Sequence, residues 1–365
     1  MDKERNLTFS YFKALLIIMV IDDHIGSMNG LLTRVFPYNS FYMPAFVFIS
    51  GYFFKQKTVR DNLTRKCCSI MFPYIFWVFI EELLAFVLAK ANIVHWFIRP
   101  NMINLSSTLL FEPLSEIASP GWFAVMLFEV FIIYVVVMRI TPRNKISDYL
   151  ILLAVISLGL FSVWISMNYF NADIIWIILI RTGFYLQFFH IGYMFHQYFE
   201  KTVLKWNAAL VCLLCILLNL ILVTLFGDKI LFPVTSQMLS FKSWYLPLVT
   251  SITGCLFWYE VMSFLSRKFG KIDIVEFISR NTFTIMMVHL ILVRTPYFFA
   301  KNLTTFFPDF DAAAFDSSIW YFYDNDEVNL IGFFVGIAGS IAIAWLTEKA
   351  TIKLKTCFSS NAKST

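Results

Sequence analysis

Few side chains in this sequence can do chemistry, so their spacing is informative. Segment 9–26, FSYFKALLIIMVIDDHIG, is mainly apolar and long enough to cross a bilayer, yet it holds Lys13 and ends in Asp22, Asp23 and His24. Each such group is expensive in hydrocarbon, and a plain anchor would be better without it. His24 follows Lys13 by eleven positions, close to three helical turns, which puts both on one face roughly 16 Å apart. Histidine titrates near neutrality, and a neighbouring carboxylate can orient its ring, which is what a general base needs. His24 is therefore the candidate base, with Asp23 or Asp22 to orient it. An isolated histidine at a membrane boundary is as often a simple hydrogen-bonding group; the acid pair and Lys13 weigh against that here.

Other groups repeat the pattern. In SRNTFTIMMVHLILV, Ser279, Arg280 and Asn281 precede His289, which shares a helix face with Thr282. His289 is expected in the outer half of the membrane, at the height of His24. Arg181 is mid-span, and a buried intramembrane arginine is a functional hypothesis by default. His190, nine residues on, faces the opposite side. In FYMPAFVFISGYFF, Pro44 bends the helix, Ser50 and Gly51 permit close approach, and Tyr52 stands at the cytoplasmic mouth. The run Lys55, Lys57, Arg60, Arg65 and Lys66, followed by Pro73 and Tyr74, has two readings. It sets topology and touches anionic lipid, or it binds the phosphates of a cytoplasmic cofactor. Glu81, Glu82, Glu129 and Glu260 are available to neutralise Lys13 or Arg181.

The elements that must hold these groups are membrane spans. The 365 residues are 59% hydrophobic, include 42 Phe and are only 15% charged, against about 25% charged in soluble domains. Ten apolar stretches approach the length needed to cross: 9–26, 36–54, 69–89, 122–139, 149–166, 173–196, 207–226, 244–265, 273–293 and 328–347. With the N-terminus inside, nineteen Lys and Arg fall on the cytoplasmic side and seven outside. Every cytoplasmic segment carries at least two, as the positive-inside rule requires. The expected fold is an all-α polytopic membrane protein of about ten helices, N-in and C-in. Residues 1–350 form one transmembrane domain and 351–365 a short cytoplasmic tail.

Two outer segments, 90–121 and 294–327, are long enough to be lids or binding loops. The first contains His95, Trp96, Arg99, Glu112 and Glu116, with Trp122 just beyond; the second is acidic and aromatic. Six cysteines are present, and Cys212 and Cys215, though spaced CxxC, sit in a Leu-rich span where soft packing is the better reading. The five histidines have no chelating spacing and no metal is expected, nor does a net charge of +5 point to nucleic acid. Walker A, HExxH and GxSxG motifs are absent.

In order and spacing these features resemble the membrane-bound acyltransferase-3 family. Lys13 and His24 match its first-helix pair of a basic residue, ten residues, then histidine, with Lys where Arg is usual. Phe48, Ser50, Gly51 and Tyr52 match its Phe-x-Ser-Gly-Tyr segment. Arg65, Pro73 and Tyr74 match the Arg and Pro-Tyr that follow. Trp122 and Phe123 match a later span opening, and the stretch from Asn281 to His289 and Leu290 matches the late His-Leu helix. The resemblance covers about residues 8–346. It implies transfer of an acyl group, most often acetyl, from acetyl-CoA or another acyl-CoA to a hydroxyl of a surface glycan or lipid-linked sugar, in the bacterial cell membrane. His24 would act as base, with Asp23 and His289 beside it. Lys13, Tyr52, Arg60, Arg65 and Tyr74 would serve the coenzyme, and Trp122, Arg181 and Asn281 the acceptor. The alternative is a multi-pass transporter of a sugar or small organic acid; such proteins often carry repeated halves, and no half-to-half relation is visible here.

Overall fold

A computed structural model describes residues 6–26, 38–96, 115–169, 174–203, 205–227, 241–303 and 305–361. Arg99 and Glu112, expected in the first outer segment, lie outside the described residues. The described elements are helices: α1 (Leu7–Asp23), α2 (Tyr38–Tyr52), α3 (Val59–Lys90), α4 (Trp122–Ile140), α5 (Lys145–Tyr169) and α6 (Ile175–Val203). Then come α7 (Ala208–Phe226), α8 (Leu246–Phe269), α9 (Asp273–Arg280), α10 (Thr282–Val293), α11 (Thr295–Asn302), α12 (Ala312–Ser317) and α13 (Asp326–Asn361). Eight stretches among the described residues are long and apolar enough to cross a membrane, α10 and α11 counting as one. With the shorter α1 and α2 they make the ten expected.

The first helix is the centre of the bundle. It is apolar nearly all round, the mark of a fully surrounded helix, and it packs against α2, α8, α9, α10 and α13. Its N-terminus is capped by the Asn6 side chain, which accepts from the Thr8 N–H. Helices α2 and α6 approach backbone to backbone. A Cβ at Gly51 would run into the Phe189 carbonyl, and one at Gly192 into the Phe48 carbonyl. Small residues at such crossings are how membrane helices pack closely. Two helices carry a π-helical turn at the cytoplasmic end, Cys67–Met71 in α3 and Phe195–Phe199 in α6.

The ninth span requires a correction. The sequence places it at 273–293, but the helix breaks at Asn281 and the apolar stretch runs Thr282–Asn302. Asn281 donates to its own chain at Phe277 O (3.0 Å) and to Glu348 (3.1 Å), competing locally with the helical ladder. Asp273, Glu276 and Arg280 stay on the short α9. The shift draws Arg294 out of the expected outer loop to the junction of α10 and α11.

Beyond α11 the chain folds back as a packed cover. Lys301 pairs with Asp316 at 2.6 Å, and Trp96 Nε1 donates to Phe315 O at 2.6 Å. Glu116 accepts from the Ile319 N–H (2.7 Å) and the Ser318 hydroxyl (2.9 Å). Within it the Phe310 ring packs edge to face with those of Phe315 and Tyr323, and with Tyr297 of α11. The cover thus hangs on both outer segments.

Candidate active site

His24 stands one residue past the end of α1. Its ring meets His289 of α10 at 4.9 Å between centroids and Trp320 of the cover at 5.6 Å. Two histidines more than 260 positions apart therefore share one place. His289 is fully buried, and its Nδ1 lies 2.6 Å from Met286 O. A carbonyl oxygen only accepts, so Nδ1 carries the hydrogen and Nε2 of the neutral ring holds the lone pair. That Nε2 is buried with no hydrogen-bond partner.

Both histidines line a cavity of about 480 Å³ with Asp23, Tyr42, Ser119, Trp122, Arg294 and Trp320. Gly26 and Phe322 also border it. Gly26 has φ +88°, and a Cβ there would stand 2.7 Å from the Phe322 ring, so glycine answers both the backbone and the space. Asp23, expected to orient His24, accepts a bond from the Tyr42 hydroxyl at 2.9 Å.

Arg294 is the residue that sequence reasoning missed. It is 2% exposed. Nε donates to Ile319 O at 2.8 Å, fastening the cover, and the guanidinium carbon lies 5.0 Å from the Tyr297 ring centre. Nη1 is buried without a partner. A cationic donor left open in a buried site costs free energy until something accepts from it. In sequence it reads as one of the outer-loop cations; the following Thr-Pro, a helix-start signal, is the clue that it stands between two helices.

The other expected residues are distributed. Trp122 lines the cavity, and Arg181 lies one layer behind it, its guanidinium 5.2 Å from the Trp122 ring centre. Tyr74 packs on Gly121, where a Cβ would stand 2.7 Å from its ring. Lys13 donates to Ser279 O at 3.0 Å and ties α1 to α9. Tyr52 donates to Glu200 at 2.7 Å and accepts from Asn6 at 3.2 Å. Arg60 and Arg65 are exposed at the cytoplasmic start of α3. Asn281 is bonded to Glu348 on α13. Of the expected set, His24, Asp23, His289 and Trp122 share the cavity. Lys13, Tyr52, Arg60, Arg65 and Tyr74 are not in its lining.

Apolar helices around a pair of imidazoles, His289 buried and His24 partly exposed, define an integral-membrane protein. Comparison with known proteins gives the class. An acyltransferase domain model, that of the acyltransferase-3 family, matches residues 6–349, and the chain belongs to that family. It is a multi-pass protein of the bacterial cell membrane. It is similar to the nodulation protein NolL of Mesorhizobium japonicum (strain LMG 29417 / CECT 9101 / MAFF 303099), 26% identical over 176 residues. That match takes in 45% of this chain and spans 43% of the relative's length. No solved structure matches.

Proposed function

We propose that the chain moves an acyl group, acetyl first among them, from acyl-CoA to a hydroxyl of a cell-surface or exopolysaccharide sugar or its lipid-linked precursor. The reading rests on one observation: two imidazoles 4.9 Å apart in one cavity, one of them with its tautomer fixed and its lone pair unclaimed. His24 takes the acceptor's proton as the hydroxyl oxygen bonds to the thioester carbon. His289 Nε2, on a ring centred 4.9 Å from that of His24, accepts from its second N–H, steadying the imidazolium that forms. This is the part a carboxylate plays in a hydrolase triad. Arg294 Nη1 donates to the oxygen on which charge develops. The carbon–sulfur bond then breaks, His24 returns the proton to the departing thiolate, and ester and coenzyme A leave.

No covalent enzyme intermediate is needed. Trp122 and Trp320 offer ring faces on which a sugar can stack, and the cover excludes water during transfer. The protein would be incubated in lipid nanodiscs with acetyl-CoA labelled in the acetyl group and a panel of glycans. Label is expected in a glycan with the wild type and lost with His24→Ala. Equal labelling by the two proteins would remove His24 from the reaction.

A further inference from the structure

A second polar pocket opens at the cytoplasmic end, where the link between α2 and α3 meets the link between α4 and α5. Its volume is about 270 Å³, and Lys57, Asn62, Arg139 and Arg143 stand in its wall. The lining carries these three cations and no carboxylate. Asn62 decides its meaning. Lys57 and the two arginines are exposed, and surface cations alone would be unremarkable. Asn62 is only 5% exposed, and its Nδ2 is buried with no hydrogen-bond partner. An amide donor left open at the base of a three-cation pocket is short of an acceptor. The start of α3 adds to this: Thr58 caps the Asp61 N–H, and the helix dipole favours an anion there. The α2–α3 link is tied to the last turn of α4 by Gln56, whose Nε2 donates to Met138 O at 2.7 Å.

We propose that this pocket binds a phosphate group, and that the phosphate is one carried by the nucleotide end of coenzyme A. The assignment rests on the acyl-CoA reading above. Charge-assisted bonds from Arg139 and Arg143 hold the oxygens, Lys57 adds charge, and Asn62 Nδ2 closes the base. The position suits that donor. Met43 of α2 lines the outer cavity and Phe54, just past the end of α2, lines this pocket. Eleven residues separate them, roughly 16 Å at helical rise, a span comparable with a pantetheine arm. Arg60 and Arg65 belong to the same basic run but are not in this lining.

The same chemistry would accept the headgroup phosphate of an anionic lipid, so the test has two arms. Full-length protein is placed in nanodiscs of phosphatidylcholine alone, and binding of coenzyme A and 3′-dephospho-coenzyme A is measured by calorimetry. The probes are wild type, Arg139→Gln/Arg143→Gln, and Asn62→Asp, which sets a carboxylate against the phosphate. The wild type is expected to bind coenzyme A at least tenfold more tightly than either variant. Circular dichroism and gel filtration establish that each is folded; the exposed arginine pair can be altered without touching the core.

In the second arm, native mass spectrometry in discs containing phosphatidylglycerol asks which proteins retain the anionic lipid. Equal coenzyme A affinity in wild type and folded variants overturns the assignment. Lipid retention lost in the variants, with coenzyme A affinity unchanged, gives the pocket to a headgroup and also overturns it. A wild type that binds no coenzyme A removes the acyl-CoA reading itself. A wild type that binds it as tightly as its variants leaves that reading standing.

Discussion

The outer cavity and the cytoplasmic mouth around Tyr52 both gather polar side chains at helix ends, but they treat those groups differently. At the mouth the groups satisfy one another. Tyr52 donates to Glu200 and accepts from Asn6, its ring meets that of His196 at 4.5 Å, and His196 Nδ1 lies 3.6 Å from Glu200. In the outer cavity, His289 Nε2 and Arg294 Nη1 are buried without partners, although each side chain is anchored by another nitrogen. A satisfied cluster holds helices together. A cluster with anchored side chains and open atoms is set up for a ligand to complete. The family's first-helix histidine lies in the second kind of region and its Ser-Gly-Tyr tyrosine in the first.

The strongest way to break this comparison is at His24. His24→Ala is expected to lower acyl transfer by about 10³-fold, within the range for loss of a general base, while leaving coenzyme A binding in place. A loss confined to coenzyme A affinity would move the chemistry away from the outer cavity. Arg294→Met comes next, at about 10²-fold in kcat for loss of one donor to the developing charge. Arg294→Lys, which keeps the charge but not the fork, should recover part of it. Recovery to wild-type rate would mean that only the field of the cation matters.

Smaller effects sharpen the contrast. Gly26→Val adds bulk against Phe322 where φ is +88° and should reduce kcat/KM for the acceptor by about tenfold. The folded fraction from gel filtration separates this from misfolding. Tyr52→Phe should act in the opposite currency. It strips a donor from Glu200 and an acceptor from Asn6, lowering stability by about 1–3 kcal/mol with unchanged turnover per folded molecule. Thermal denaturation and rate measured on the same sample decide it. A stable Tyr52→Phe protein that has lost turnover would put the mouth inside the reaction.

The sequence made the helices legible because length and apolarity alone report a membrane span. It also made His24 and His289 legible, since charge inside a span is costly enough to need a reason. What it hid depends on distant chain segments. Lys13 shares a face with His24 in the sequence pattern, yet its ammonium is taken by Ser279 O, a bond no local spacing announces. Arg294 reads as a loop cation because the helix break at Asn281 moves the span by several residues, and Asn281 there donates to Glu348 of the last helix. The place of Trp320 beside His24 follows from a cover fastened by Glu116 and Arg294, which periodicity does not encode. Asn62 reads as a plain surface amide until α4 packs beside it.

On the proposed reaction the acyl carbon lies in the outer cavity, and one structure would test that directly. The protein would be determined with a stable thioether analogue of acetyl-CoA, in which a methylene separates sulfur from the carbonyl. The carbonyl carbon is expected beside His24, its oxygen within hydrogen-bond reach of Arg294 Nη1. An analogue seated with its acyl end at the cytoplasmic mouth by Tyr52 and Glu200, leaving both histidines untouched, would contradict it.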